Sequence, residues 1–188
     1  ADVLSGDFNP CGKLTMTFPR NLGQVPIHYD AKNTGRPYTP GQGEQHYVSR
    51  YLNEPTATPL YPFGYGLSYT TFTVSEVSLD KDSMKDGESI RAAVTVKNTG
   101  TCAGTETIQL YLHDVAASVV RPVKELKDFR KVTLQPEEEA RVEFTITEPQ
   151  LCFLSENNIF ESEAGIFEIF IGTDSTTTNK AKFTLEKQ

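Results

Sequence analysis

The chain has 188 residues, of which 37% are hydrophobic, and 18 basic against 25 acidic residues give it a formal net charge of −7. That length suits one domain, or two if one is small, and the acidic balance offers no positive field to attract nucleic acid or an anionic membrane surface. No apolar run approaches the ~18–20 residues of a membrane span, and no basic-then-apolar leader opens the chain.

The chain starts at Ala1-Asp2-Val3-Leu4 without an initiator Met, as in a processed protein or a piece of a longer one. Asp2 to Gly6 reads as a last helical turn closed by glycine, and Lys13 to Phe18, stopped by Pro19, as one strand. A lone strand cannot bury its face or pair its backbone, so this stretch is expected to belong to a sheet whose other strands lie outside the chain. From Asn21 to Tyr69 almost nothing is periodic, which marks a functional loop or a linker laid over another surface. The aromatic group Tyr61, Phe63, Tyr65, Tyr69 and Phe72 beside Pro59 and Pro62 can stack on a sugar or pin the linker to a sheet. With no Trp in the chain, packing is the better reading.

Composition changes sharply at Phe72. Residues 1–72 hold 7 of the 8 Tyr, 8 of the 11 Pro and 8 of the 13 Gly, but only 4 of the 21 Val and Ile. The remainder carries strand composition and all of the net charge. There the apolar residues alternate with the period of a half-buried strand: Ile90 to Val96, Ile108 to Leu112, Val142 to Ile146, Phe167 to Ile171 and Ala181 to Leu185. Two less regular strands are expected at Val74 to Leu79 and Leu126 to Leu134. About seven short strands separated by turn residues indicate an immunoglobulin-like or fibronectin-type β-sandwich. Its expected core is Val94, Val96, Leu110, Leu112, Phe144, Ile146, Phe167, Ile169 and Phe183. Gln109, Tyr111 and His113 should then form an outward row.

Motifs that carry chemistry are not found. Asp80 to Glu88 resembles the start of a calcium loop, but Met84 stands at its fifth position and Arg91 at its twelfth, so a solvated turn is the better reading. Gly64 to Ser68 lacks the spacing of a nucleophile elbow and of a phosphate loop. Glu106, Asp114, Glu125 and Asp128 are acids in or beside strands, but a glycosidase needs two carboxylates converging on one sugar bond. Spacing gives no such pair, and exposed charges on the outer sheet face explain them. Cys11, Cys102 and Cys152 read as free thiols, and His28, His46 and His113 are too scattered for a metal site. No catalytic, cofactor-binding or metal residue is therefore assigned, and no cofactor is expected.

Gly6 to Leu14, Thr17 to Arg20, Arg50 to Leu52 and the block Pro59-Leu60-Tyr61-Pro62-Phe63-Gly64-Tyr65-Gly66-Leu67-Ser68-Tyr69-Thr70 resemble the C-terminal stretch of glycoside hydrolase family 3, of the β-glucosidase and β-xylosidase kind. Val96 to Gly100, Gly104 to Glu106, Gln109 to Leu112 and Arg121-Pro122-Val123-Lys124-Glu125-Leu126 extend the resemblance through the fibronectin-like domain that ends such enzymes. Cys11, Asp128 and Glu137 depart from the family's usual residues, at positions of local turn geometry.

The resemblance implies a mainly β chain, a fibronectin type III/immunoglobulin-like β-sandwich preceded by a largely irregular segment from the end of an α/β sandwich domain. Residues 1–20 would be the remnant of that domain, 21–72 a linker and 73–188 the sandwich. The parent would hydrolyse terminal β-linked sugars with retention, using an aspartate nucleophile from a barrel and an acid/base carboxylate from the α/β sandwich. Neither has a matching position here, so the chain alone is expected to be an inactive structural part. Its partners would be the missing barrel and α/β domains, with a β-linked oligosaccharide or glucoside as substrate of the parent, in the periplasm or secreted. The alternative is an autonomous carbohydrate-binding or adhesion module. On this reading order should be stable from about Pro59 onward and weak or intermolecular before Asn21.

Overall fold

Where the apolar residues alternate, the chain forms strands in the phase that the pattern requires. The protein is described here by a computed structural model covering residues 1–187 apart from Pro40, Gly43, Glu44, Asn53 and Pro55. Its strands are β1 (Phe72–Val74), β2 (Ser78–Leu79), β3 (Ser83–Lys85), β4 (Ser89–Asn98), β5 (Gly104–Asp114), β6 (Glu125–Leu134), β7 (Glu139–Thr147), β8 (Phe153–Leu154), β9 (Phe160–Glu161), β10 (Gly165–Gly172) and β11 (Lys180–Glu186). In one sheet β4 pairs with β7 and with both short strands β1 and β2. The second runs β3-β11-β10-β5-β6, and β8-β9 form a small hairpin.

The two large sheets enclose one core. Ile90, Ala92, Val94 and Val96 from β4 meet Val142, Phe144 and Ile146 from β7, opposite Ile108, Leu110, Leu112, Phe167, Ile169, Ile171 and Phe183 of the other sheet. All nine residues expected in the core are buried. The antiparallel register places Ile169 beside Leu112 and Phe167 beside Phe183, whose rings stack at 5.4 Å.

Three features differ from the sequence reading. Val74 to Leu79 is not one strand: it breaks into β1 and β2, which use different stretches of β4. Met84, read as part of a solvated turn, is fully buried, because β3 adds to the sheet edge parallel to β11. The rest of that segment is a salt-bridged turn, with Lys81 on Glu88 and Arg91 on Asp80, and no metal-binding group occurs among the described residues. The third feature is the one-turn helix α2 (Glu148–Leu151), whose Thr147/Gln150 capping box and early Pro149 follow β7 too closely to leave a periodic signal.

Among the described residues of 1–71 there is little regular structure: the helical turn α1 (Asp2–Ser5), closed by Gly6 at φ 87°, and a 3-10 turn at Leu22–Gln24. Among the described residues no helix is long and apolar enough to cross a membrane.

Candidate functional site

The expectation that Lys13 to Phe18 lacks a partner within the chain is corrected. Leu14 N–H donates to Tyr65 O and Gly64 N–H to Leu14 O, both at 2.8 Å, and Phe18 N–H donates to Tyr61 O and Leu60 N–H to Phe18 O, both at 2.9 Å. The two segments form an irregular antiparallel ribbon with a bridge at Phe18 and Tyr61. The partner was hidden from periodicity because Pro59, Pro62 and Gly64 interrupt its alternation.

The first twenty residues also reach the sandwich, against the expectation of weak order there. Lys13 Nζ lies 2.6 Å from Glu106 Oε1 on β5, and Asn9 Nδ2 donates to Ala103 O at 2.9 Å. Asn9 Oδ1 accepts from Ser68 Oγ and from Tyr69 N–H, both at 2.9 Å, so one side chain ties three segments together. Further along, the buried Gln24 side chain accepts from Arg20 N–H at 2.6 Å and donates to Thr58 O at 3.2 Å.

The row on β5 has the outward parity expected of it, but it is covered. Gln109 and Tyr111 do point away from the core, but the linker covers them and leaves them 3% and 0% exposed. Gln109 Nε2 donates to Gly64 O at 3.1 Å and to Thr173 O at 2.6 Å, while Tyr111 Oη donates to Gln109 Oε1. Tyr29 stacks on Phe63 at 4.2 Å and meets Tyr111 edge-on at 5.9 Å. Burial pushes both tyrosine hydroxyls above their ordinary pKa. Gly64 has φ +79°, and any Cβ there would collide with the Gln109 carboxamide, which explains a glycine at this point of the aromatic block.

The Arg121 to Leu126 segment holds the linker from the other side. Val123 N–H donates to Ala31 O at 3.0 Å, Leu126 N–H to Tyr29 Oη at 3.3 Å, and Pro122 O contacts His113 Nδ1 at 3.0 Å. Lys124 Nζ donates to Ser175 O at 3.0 Å and to Thr177 O, and lies 4.3 Å from the centre of the Phe170 ring.

Burial lowers the Lys124 pKa to about 8. Asp174 opposes the shift, Lys180 adds to it, and Glu168 opposes it. An unfolded lysine titrates near ~10.4, so between these values the unfolded chain binds more protons and stability through this group rises with pH. Lys124→Met should lack that rise. Chemical denaturation from about pH 7 to about pH 10 is expected to show the unsubstituted protein gaining on the variant, and a pH-independent difference would contradict the assignment.

The four acids considered for a catalytic pair are not simply exposed charges, which corrects the sequence reading. Glu106 is held by Lys13, Glu125 by Arg121 at 2.6 Å, and Asp128 by Arg130 at 2.5 Å. Asp114 is half-buried, with its pKa raised by desolvation and opposed by a backbone hydrogen bond at Ala116. All three cysteines are free thiols, as expected.

The ribbon leaves apolar side chains exposed. On the ribbon Met16 is 62% and Leu67 70% exposed, and Phe18 and Tyr61 are partly exposed beside them. Pro10, Leu14, Phe18, Tyr61, Tyr65 and Leu67 line an open cavity of about 690 Å³. No backbone hydrogen bond joins the ribbon's other edge, at Thr15 and Thr17, to another strand among the described residues.

Comparison with known proteins accounts for both halves of this arrangement. Residues 1–69 match the glycosyl hydrolase family 3 C-terminal domain, and residues 106–175 match the fibronectin type III-like domain. The chain belongs to glycoside hydrolase family 3. The periplasmic beta-glucosidase of Salmonella typhimurium is 50% identical over 98% of the chain, which covers 24% of that protein. A beta-xylosidase of Formosa agariphila is 42% identical over 93% of the chain, which covers 23% of it. Among solved structures, a D270A mutant beta-glucosidase of Listeria innocua in complex with laminaribiose superposes with a TM-score of 0.91. It is 45% identical over 99% of the chain and matched over 25% of its own length. The family 3 chain thus spans about a quarter of the length of the relatives that it matches, and it aligns with their C-terminal part.

Proposed function

We propose that this family 3 chain is the non-catalytic C-terminal portion of a β-glucosidase-type enzyme, and that its role is to brace the remainder of that enzyme. The parent cleaves terminal β-linked sugars from oligosaccharides or glucosides through a covalent glycosyl-enzyme, using carboxylates supplied elsewhere. The observation that carries this reading is the ribbon: one edge is paired, the other is open, and an apolar strip is exposed beside it. An open strand edge with an apolar face calls for another sheet to cover it. The barrel and α/β domains of the parent are therefore its partners, in the arrangement that residues 1–20 as domain remnant, 21–72 as linker and 73–188 as sandwich describe. A periplasmic or secreted location is supported by the name of the Salmonella relative.

The chain assayed alone on aryl β-glucosides and β-xylosides should give no turnover above the uncatalysed blank. Co-expression with the remainder of the enzyme should give an active complex. Turnover by the isolated chain that disappears on Glu106→Gln or Glu125→Gln would overturn the reading.

One observation favours a second reading, an autonomous carbohydrate-binding module. A cavity of about 650 Å³ in the linker is lined by Tyr38 and Tyr51 together with Asn33, Lys32 and Arg50, which suits a hydroxylated ligand. Titration of the chain alone with cellobiose and laminaribiose separates the readings: saturable binding below about 1 mM supports the module, and its absence supports the brace.

A further inference from the structure

A second cavity, of about 280 Å³, lies where the ribbon crosses the outer face of β5 and β6. Leu14, Phe63, Leu126 and Phe129 give it apolar walls, and Thr107 lies on its β5 side. Thr107 shares the outward parity of Gln109 and is 6% exposed, yet its hydroxyl has no hydrogen-bond partner among the described residues. Phe129 on the rim is 54% exposed. Lys13 and Leu14 border this cavity and also the open apolar strip, so the two adjoin at the ribbon.

We propose that, in the longer enzyme, this pocket receives one large side chain, with an apolar body and a hydrogen-bonding tip, from the remainder of the protein. The inference rests on the bracing role proposed above and names the point at which the brace is keyed. Three observations select this occupant. The volume lies just below the ~300–1,000 Å³ of typical small-ligand sites and has room for a Tyr- or Trp-sized group. Lys13, Thr15, Gln109 and Lys131 also line it, but Lys13 is held by Glu106 and Gln109 by Gly64, Thr173 and Tyr111, so the buried, unpartnered Thr107 hydroxyl beside apolar walls matches a side chain with one polar tip. The pocket also adjoins the strip that a neighbouring domain would cover, and about three quarters of the relatives' length lies outside this chain. A hydrogen-bonding side chain seated in an apolar pocket at the centre of a contact is the usual form of an interface anchor.

The test uses the full-length enzyme carrying the photo-cross-linker p-benzoylphenylalanine in place of Phe129, and separately in place of Met16 on the ribbon. After irradiation, mass spectrometry of the digested product should place the Phe129 cross-link on a peptide from outside residues 1–188 of the same enzyme molecule. Thr107→Val, which keeps the shape and removes the hydroxyl, should leave that cross-link in place but lower the thermal midpoint of the full-length enzyme. A Met16 cross-link to the remainder, together with a Phe129 cross-link confined to residues 1–188 or to a second copy, would overturn the keyed pocket while sparing the brace. Loss of both cross-links to the remainder would overturn the brace itself.

Discussion

Phe144→Ala is expected to destabilise the sandwich by about 3–5 kcal/mol, the usual range for deleting a fully buried aromatic ring. Phe144 is 1% exposed at the centre of β7, where its Cα partner across the sheet is Ala92. A small residue opposite a large one leaves no neighbour that can move in to fill the space, so the cavity should persist. The Arg130 guanidinium, 5.5 Å from the centre of the ring, would lose its aromatic contact as well. Urea denaturation of the variant measures the loss. Glu143→Ala serves as the control: it is the exposed neighbour on the same strand and should change stability by less than about 0.5 kcal/mol. A loss below about 1 kcal/mol from Phe144→Ala, with Glu143→Ala the costlier change, would show that the strand sits one residue out of the register described, because a single slip exchanges the two faces.

The control works because parity along β7 can be read directly from sequence, and the same holds wherever one face of a strand meets the core and the other meets water. Ile90 to Val96, Ile108 to Leu112 and Phe167 to Ile171 were legible for that reason. On β5 the parity of Gln109 and Tyr111 was also right, but facing outward did not leave them exposed. A second layer, the linker around Tyr29, Phe63 and Gly64, lies over that face. Alternation reports which side of the sheet a residue occupies and carries no information about what covers that side. Met84 illustrates the complementary limit. A three-residue strand added to a sheet edge is too short to establish a period, so its burial becomes visible only once β11 is in place. The ribbon was half legible, since Lys13 to Phe18 alternates while Leu60 to Tyr65 is broken by Pro62 and Gly64. The resemblance located the linker and the sandwich in order. It did not indicate that Asn9, Lys13 and Gln24 bind the first segments to the rest through side chains. Such contacts join residues up to 94 positions apart and leave no local pattern.

Asn98→Ala is expected to be the most damaging polar substitution, at about 2–4 kcal/mol, because four hydrogen bonds converge on one fully buried carboxamide. Its Nδ2 donates to Cys102 O at 2.9 Å and to Leu134 O at 3.0 Å. Its Oδ1 accepts from Thr70 Oγ1 at 2.6 Å and from Gly100 N–H at 3.0 Å. Truncation leaves at least the Leu134 carbonyl and the Thr70 hydroxyl buried without these partners, each costing about 1–3 kcal/mol. The fit is tight: a Cβ on Gly100 would collide with the Thr70 hydroxyl, so the turn after β4 needs glycine where the linker enters the sandwich. The consequence for the linker differs from that of Phe144→Ala. Thr70 is the last buried linker residue before β1, and Asn98 is its link to the ends of β4 and β6. Loss of Asn98 should therefore loosen residues 1–72 before the sandwich itself opens. Limited proteolysis in sub-denaturing urea should release that segment early from Asn98→Ala, while Phe144→Ala loses the linker and the sandwich together. Thr70→Val, which removes one of the four bonds and keeps the shape, should lie between the unsubstituted protein and Asn98→Ala, at about 1 kcal/mol. If Asn98→Ala and Phe144→Ala gave the same cleavage order, Asn98 would be one more core residue and not the joint between the linker and the sandwich.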